Sequence, residues 1–153
     1  MSADVSTHVA RLRSTGRDLV SLVTGADAAA LHREPEPGEW SAATVVSHLA
    51  DAELVYAVRL RLIIAEDRPM LTAFDENAWA ERFGELDEDP KDSLARWRAL
   101  RDNNLRLIDS LVEGEWERSG IHAQKGLLTV AGVVKLLAEH DRAHLDQIRR
   151  ALA

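Results

Sequence analysis

Residues 129–153 read TVAGVVKLLAEHDRAHLDQIRRALA, and the reading of this stretch decides the fold. Val130, Val133, Val134, Leu137 and Ile148 recur every three or four residues, the period of an amphipathic helix and not of a strand. Thr129 stands at the N-cap position, and Leu128 and Val133 have the spacing of a hydrophobic staple. His140 and His144 lie on the same stripe as the apolar residues, so they point where the core must be. Working back along the chain, the same period predicts three more long helices. One runs from about Asp4 to Thr24. One begins after the N-cap Ser41, with Trp40 and Val45 at staple spacing, and ends near Glu66. One starts at Asp89-Pro90 and carries Leu94, Trp97, Leu100, Asn104, Leu107, Ile108 and Leu111.

Breaks at 34–38, 68–69, 89–90 and 119–126 separate these stretches, and no segment alternates long enough for a strand. Short helical turns are predicted at Asp27–His32, Asp75–Arg82 and Glu113–Glu117. Long amphipathic helices can bury their stripes only against one another, so the predicted fold class is all-α, a four-helix bundle. The connections 67–89 and 112–128 are expected to fold over one end as caps and helical turns.

The 153 residues fit one domain, 1–153, and carry 19 basic against 26 acidic side chains for a net charge of −7. The absence of cysteine excludes disulfides, thiolate-ligated metal, iron–sulfur clusters and a cysteine nucleophile. Any metal must be held by His, Asp or Glu. The acidic balance argues against nucleic acid as a partner. No apolar run reaches membrane-spanning length, and Met1-Ser2-Ala3-Asp4 does not begin like a signal segment, so no membrane partner and a cytoplasmic location are expected.

His48 sits on the inner stripe of the second long helix with Val45, Leu49, Ala52, Val55, Tyr56, Arg59 and Ile63. Three inward histidines on two neighbouring helices, His48, His140 and His144, each need partners for two ring nitrogens. Leaving them without partners costs on the order of several kcal/mol. A divalent cation satisfies all three at once. Imidazole suits zinc and nickel first, with iron and manganese as further candidates. Asp51 and Asp141 stand three residues from His48 and His144, within reach of a ring N–H, and Gln147 is a third candidate for orienting a ligand. Tyr56 and Arg59 continue the His48 stripe toward a substrate pocket, as does His122, whose first expected role is to stabilise its own turn. Glu53 and Glu139 read as exposed charge, and Arg96, Arg98, Arg101 and Arg106 as a solvated helix face. His8 and His32 read as surface or linker residues, and Trp40, Trp79, Trp97 and Trp116 as core and cap packing.

The segments Gly38-Glu39-Trp40-Ser41, His48-Leu49-Ala50-Asp51-Ala52-Glu53, Phe74-Asp75-Glu76-Asn77-Ala78-Trp79 and His140-Asp141-Arg142-Ala143-His144-Leu145-Asp146-Gln147-Ile148, in this order, resemble the DinB superfamily in its YfiT-like branch. The resemblance implies a four-helix bundle with a metal bound by His48, His140 and His144, the trio reached from the stripes. It also implies kinship with bacillithiol transferases and mycothiol-dependent maleylpyruvate isomerases. Some of these isomerases carry Glu at the position of His140, which favours a three-His enzyme here. The expected function is therefore transfer of a low-molecular-weight thiol to an electrophile, or hydrolysis of a small substrate, in a homodimer. The alternative is a non-catalytic metal-binding bundle acting in self-association or partner binding.

Overall fold

Every long helix for which the sequence offers a cap begins at it. In the computed structural model, which describes residues 3–84 and 89–153, α1 spans Ala3–Thr24 and α2 is the short helix Ala28–His32, capped by Asp27. Helix α3 (Ala42–Ala65) starts where Ser41 Oγ accepts the Thr44 N–H at 3.2 Å. Helix α4 (Glu76–Phe83) starts where Asp75 accepts the N–H groups of Asn77 and Ala78. Helix α5 (Pro90–Asp109) has Asp89 as cap and Pro90 in its first turn, and α6 (Val130–Leu152) begins at Thr129, which accepts the Gly132 N–H. A 3-10 turn occupies Glu113–Glu117. In each case the cap replaces an amide partner that the helix cannot supply for its own first turn.

Helix α1 packs on α5 and α6, and α3 packs on the same two, so the four long helices form a ring with α1 opposite α3. The connections depart from the expected helical caps in one respect. Strands β1 (Met70–Leu71), β2 (Ser119–His122) and β3 (Gly126–Thr129) form a small sheet, with β1 parallel and β3 antiparallel to β2. Each strand is too short for alternation to show in the sequence. Gly120 is required at the β1–β2 crossing, where an added Cβ would lie 2.9 Å from the Pro69 carbonyl oxygen. Arg118 ties the sheet to the end of α3 by donating to the carbonyls of Ile63 and Glu66. Residues 85–88 of the 67–89 connection lie outside the described residues.

The core is split in two. One apolar cluster gathers Val9, Leu12, Leu60, Ile63, Val133 and Leu137; the other gathers Leu19, Val45, Leu49, Trp97, Leu145 and Ile148. Between them runs a polar layer containing Thr15, His48, Glu53, Arg101, Asn104 and Asp141, all buried. Arg101, expected on a solvated face, is 3% exposed, and Glu53, expected as surface charge, is fully buried. The Arg101 guanidinium uses all its N–H groups. It makes a two-point contact with Glu53 (3.0 and 2.7 Å) and another with Asp141 (2.8 and 3.1 Å), and donates to the Leu12 carbonyl at 3.0 Å. Asn104 adds a donor to Glu53 at 2.8 Å, and the Trp97 ring lies under the guanidinium at 4.6 Å. One side chain of α5 therefore binds α1, α3 and α6.

Burial works against the Arg101 charge, but the Asp141 and Glu53 carboxylates outweigh it and hold its pKa above the usual arginine value. Replacing Arg101 by Met strands two carboxylates in the core, so the expected loss of unfolding free energy is about 3–5 kcal/mol. Arg101→Lys also destabilises, because an ammonium cannot offer two forked contacts. Denaturant melts check both variants; a change for Arg101→Met within about 0.5 kcal/mol of zero contradicts the role assigned to this layer.

Candidate metal centre

Helices α3 and α6 are adjacent, and the polar layer fixes their register where both carry histidines. His48 Nε2 lies 3.0 Å from His140 Nε2 and 3.1 Å from His144 Nε2. The i, i+4 spacing on α6 brings the His140 and His144 rings to 4.3 Å between centroids. Gln147, one turn further on, accepts the His144 Nδ1–H at 2.8 Å. That bond fixes the tautomer and leaves a bare lone pair on His144 Nε2, as a metal ligand needs. Glu76, the first residue of α4, brings Oε1 to 3.9 Å from His140 Nε2. The ligand atoms of His48, Glu76, His140 and His144 all fall within 4.8 Å of one another.

Hydrogen bonding cannot account for this cluster. His48 Nε2 faces two nitrogens and can share at most one proton with them, and His140 Nδ1 is buried without a partner. Protonation is no remedy. Burial, reinforced by His144, lowers the His48 pKa from 6.5 to about 3; burial and the neighbouring histidines, with Arg101 and Arg59, lower that of His140 to about 2. A divalent cation does fit. Nitrogens about 2.1 Å from one ion stand about 3.0 Å apart at right angles and about 3.4 Å apart at the tetrahedral angle. The spacings from His48 to the other two nitrogens, 3.0 and 3.1 Å, are of the size that ligands of one such ion would have.

The surrounding wall is aromatic. Trp40 stacks on His144 (6.4 Å, 13°) and meets His48 at 5.1 Å, Phe74 stacks on His48 at 6.5 Å, and Tyr56 meets His140 at 6.1 Å. Trp40 therefore staples α3 and also walls the site, a second role its sequence position does not reveal. Burial raises the Tyr56 pKa to about 12, partly opposed by Arg59, so it stays a phenol. Of the other expected residues, His122 accepts the Gln124 and Lys125 N–H groups on Nδ1 and so stabilises its own turn. Arg59 lies over the Tyr56 and Phe74 rings and donates to the Thr72 carbonyl.

Asp141 does not hold a ring N–H: its carboxylate is spent on Arg101, because residue 141 points toward α5 and not along the His stripe. Burial raises the Asp141 pKa above the usual carboxylate value, with Arg101 pulling the other way. Arg96, half-buried and 3.7 Å from Asp51, is partly withdrawn from the solvated face on which it was expected, whereas Arg98 and Arg106 are exposed. His8 is buried against the core, 3.4 Å from Asp4, and is not a surface residue. Glu76 was not singled out at all. An acid in a first helical turn is ordinary, and only its place inside Phe74–Trp79 marks it.

The lowered pKa values of His48 and His140 contribute a distinct part of the pH response of the metal-free protein. An unfolded chain takes up these protons near pH 6.5 and the folded one only near 3 and below, so stability falls as pH drops through that window. Chemical denaturation from pH 7 to about 5 checks this, since carboxylates contribute little there. The slope should flatten in a His48→Ala/His140→Ala double variant; an equal slope contradicts burial of neutral rings.

The DinB superfamily model matches residues 11–148. The chain is 30% identical over 112 residues to "Putative metal-dependent hydrolase YfiT" of Bacillus subtilis (strain 168), a match covering 72% of this chain and 63%, under two thirds, of that protein. It is 28% identical to a protein of Oceanobacillus iheyensis with the same descriptive name, over 97% of this chain and 82% of the other. The solved structure of YfiT from Bacillus subtilis, described as an unusual four-helix bundle topology, superposes with a TM-score of 0.89. That match has 25% identity and covers 99% of this chain and 87% of the other. With the ordered motifs, the bundle and the converging imidazoles in place, the chain belongs to the DinB superfamily.

Proposed function

We propose that this protein is a metal-dependent enzyme that activates a small nucleophile, a low-molecular-weight thiol or water, against an electrophilic substrate. The observation that carries the reading is that His48 Nε2 lies 3.0 Å from His140 Nε2 and 3.1 Å from His144 Nε2, with a Glu76 oxygen within the same 4.8 Å cluster. His48, His140 and His144 would hold the cation, zinc or nickel first. Once bound it would supply Lewis acidity, lowering the pKa of the nucleophile and polarising the group attacked. The chain's own residues supply the rest. Gln147 holds His144 in its ligating tautomer. The Glu76 carboxylate, about half exposed, is placed to accept the S–H or O–H proton of the nucleophile. Tyr56, kept neutral, retains its O–H as a donor.

Hydrolysis is the activity named for the relatives. A second observation supports the thiol-transfer form. Residues 74–79 stand as a ridge between two grooves. One, of about 510 Å³, is lined by Trp40, Asn77, His144 and Gln147 together with the charged Glu39 and Arg150. The other, of about 590 Å³, is apolar. Two recesses of different character suit a reaction that joins two molecules, whereas hydrolysis needs only one.

Elemental analysis of the purified protein should find about one divalent ion per chain. His48→Ala and His140→Ala should each lose it while keeping a helical circular dichroism spectrum. Wild-type metal content in either variant removes these ligands from the proposal. The loaded protein is then assayed with low-molecular-weight thiols against a chromogenic electrophile, and with a nitrophenyl ester for hydrolysis. Glu76→Gln should keep the metal and lower kcat about 10²-fold or more, with the pH–rate limb of the base removed. Full metal loading with no turnover in either assay favours the non-catalytic bundle.

A further inference from the structure

The apolar groove has a chemistry of its own. Leu54 and Val58, one turn apart on the outer face of α3, are 46% and 50% exposed, and with Val55, Leu62, Phe74 and Trp79 they make a trough between α3 and the chain entering α4. Exposed apolar side chains gathered around a recess are a feature that solvation alone disfavours. Phe74 is its wall toward the metal centre, since the same ring stacks on His48 and packs on Trp79 at 5.0 Å.

Arg59 lines this trough and is 8% exposed. Its Nη2 donates to the Thr72 carbonyl, which lies on the same wall, while its Nε is buried with no acceptor. Its guanidinium rests on the Tyr56 and Phe74 rings at 5.3 and 6.0 Å. The contrast with Arg101 is direct: that guanidinium has every N–H matched and two carboxylates, whereas Arg59 makes no ion pair among the described residues. The acid lining the recess, Asp75, is spent on the Asn77 and Ala78 N–H groups, and Glu76 acts on Arg59 only from beyond ion-pair distance. A buried cation with no carboxylate paired to it, in a mainly apolar recess, is complementary to an anion that carries an apolar body.

We propose that this groove is the subsite for the electrophilic substrate and that it selects a molecule with an aryl or alkyl body and one anionic group seated on Arg59. The inference rests on the metal-dependent reading for its link to catalysis, but binding in the groove does not require the metal. The polar groove on the other side of residues 74–79 is then left for the nucleophile. The substrate spans from the α3 trough past Phe74 to the histidines, so the ring that walls the trough also sets its distance from the reacting group.

The test is a binding measurement with two probes of the same aromatic body. One is 8-anilinonaphthalene-1-sulfonate, which carries a charge, and the other is N-phenyl-1-naphthylamine, which carries none. Fluorescence titration of the full chain, with and without chelator, should give saturable one-to-one binding of both. Arg59→Met should weaken the sulfonate about tenfold or more and leave the neutral amine unchanged. Val58→Asp, at an exposed position that does not threaten the fold, should weaken both probes. Both affinities should be the same with and without chelator, so failure of the metal reading and failure of the groove are read separately. Absence of saturable binding, equal affinities for the sulfonate in wild type and Arg59→Met, or no effect of Val58→Asp overturns the proposal.

Discussion

The Arg101 guanidinium, shared between Glu53 and Asp141 and capped onto the Leu12 carbonyl, is the interaction on which the rest of the architecture depends. Apolar stripes bring four helices together but allow them to slide. Sliding any one of them by a turn would remove at least one contact to a buried charge, at a cost of several kcal/mol. The polar layer therefore acts as a register mark for the bundle. It separates the two apolar halves of the core at a single height on all four helices.

That register is what brings the candidate metal centre together. His48 lies five residues before Glu53 on α3, and His140 directly precedes Asp141 on α6. The two carboxylates drawn onto one guanidinium thus carry their histidines to within 3.0 Å of each other. The arrangement is costly without a cation, because burial opposes protonation of His48 and His140 and the cluster holds too few hydrogens to satisfy its ring nitrogens. The scaffold pays for this local frustration with the layer beneath it. Helix α4 completes the centre from outside the ring: its cap at Asp75 fixes the first turn, so Glu76 faces the histidines while Phe74 and Trp79 face the α3 groove.

Much of this was legible in the residues themselves. Ser41, Asp75, Asp89 and Thr129 announce helix starts through their side-chain oxygens, and the His48 and His140/His144 stripes announce an inward trio, because both signals are local in sequence. The Arg101 cluster was not legible. An arginine among Arg96, Arg98 and Arg106 has no local mark of burial, and its partners lie 40 and 48 residues away. Glu53 and Asp141 failed for the same reason: their pairing is a fact of bundle register. The sheet escaped because two- and four-residue strands carry no period, and Trp40 because a staple and a site wall need the same residue type.

The central claim is that one cation is shared by three particular imidazoles, and nitrogen-15 correlation spectra of the six histidine rings test it most directly. On adding one equivalent of zinc to the metal-free protein, the account predicts that Nε2 of His48, His140 and His144 shift together. It also predicts that Nδ1 of His144 stays protonated against Gln147, and that His8, His32 and His122 do not move. Saturation at one equivalent with a different set of rings, or independent shifts of the three at different stoichiometries, would contradict it.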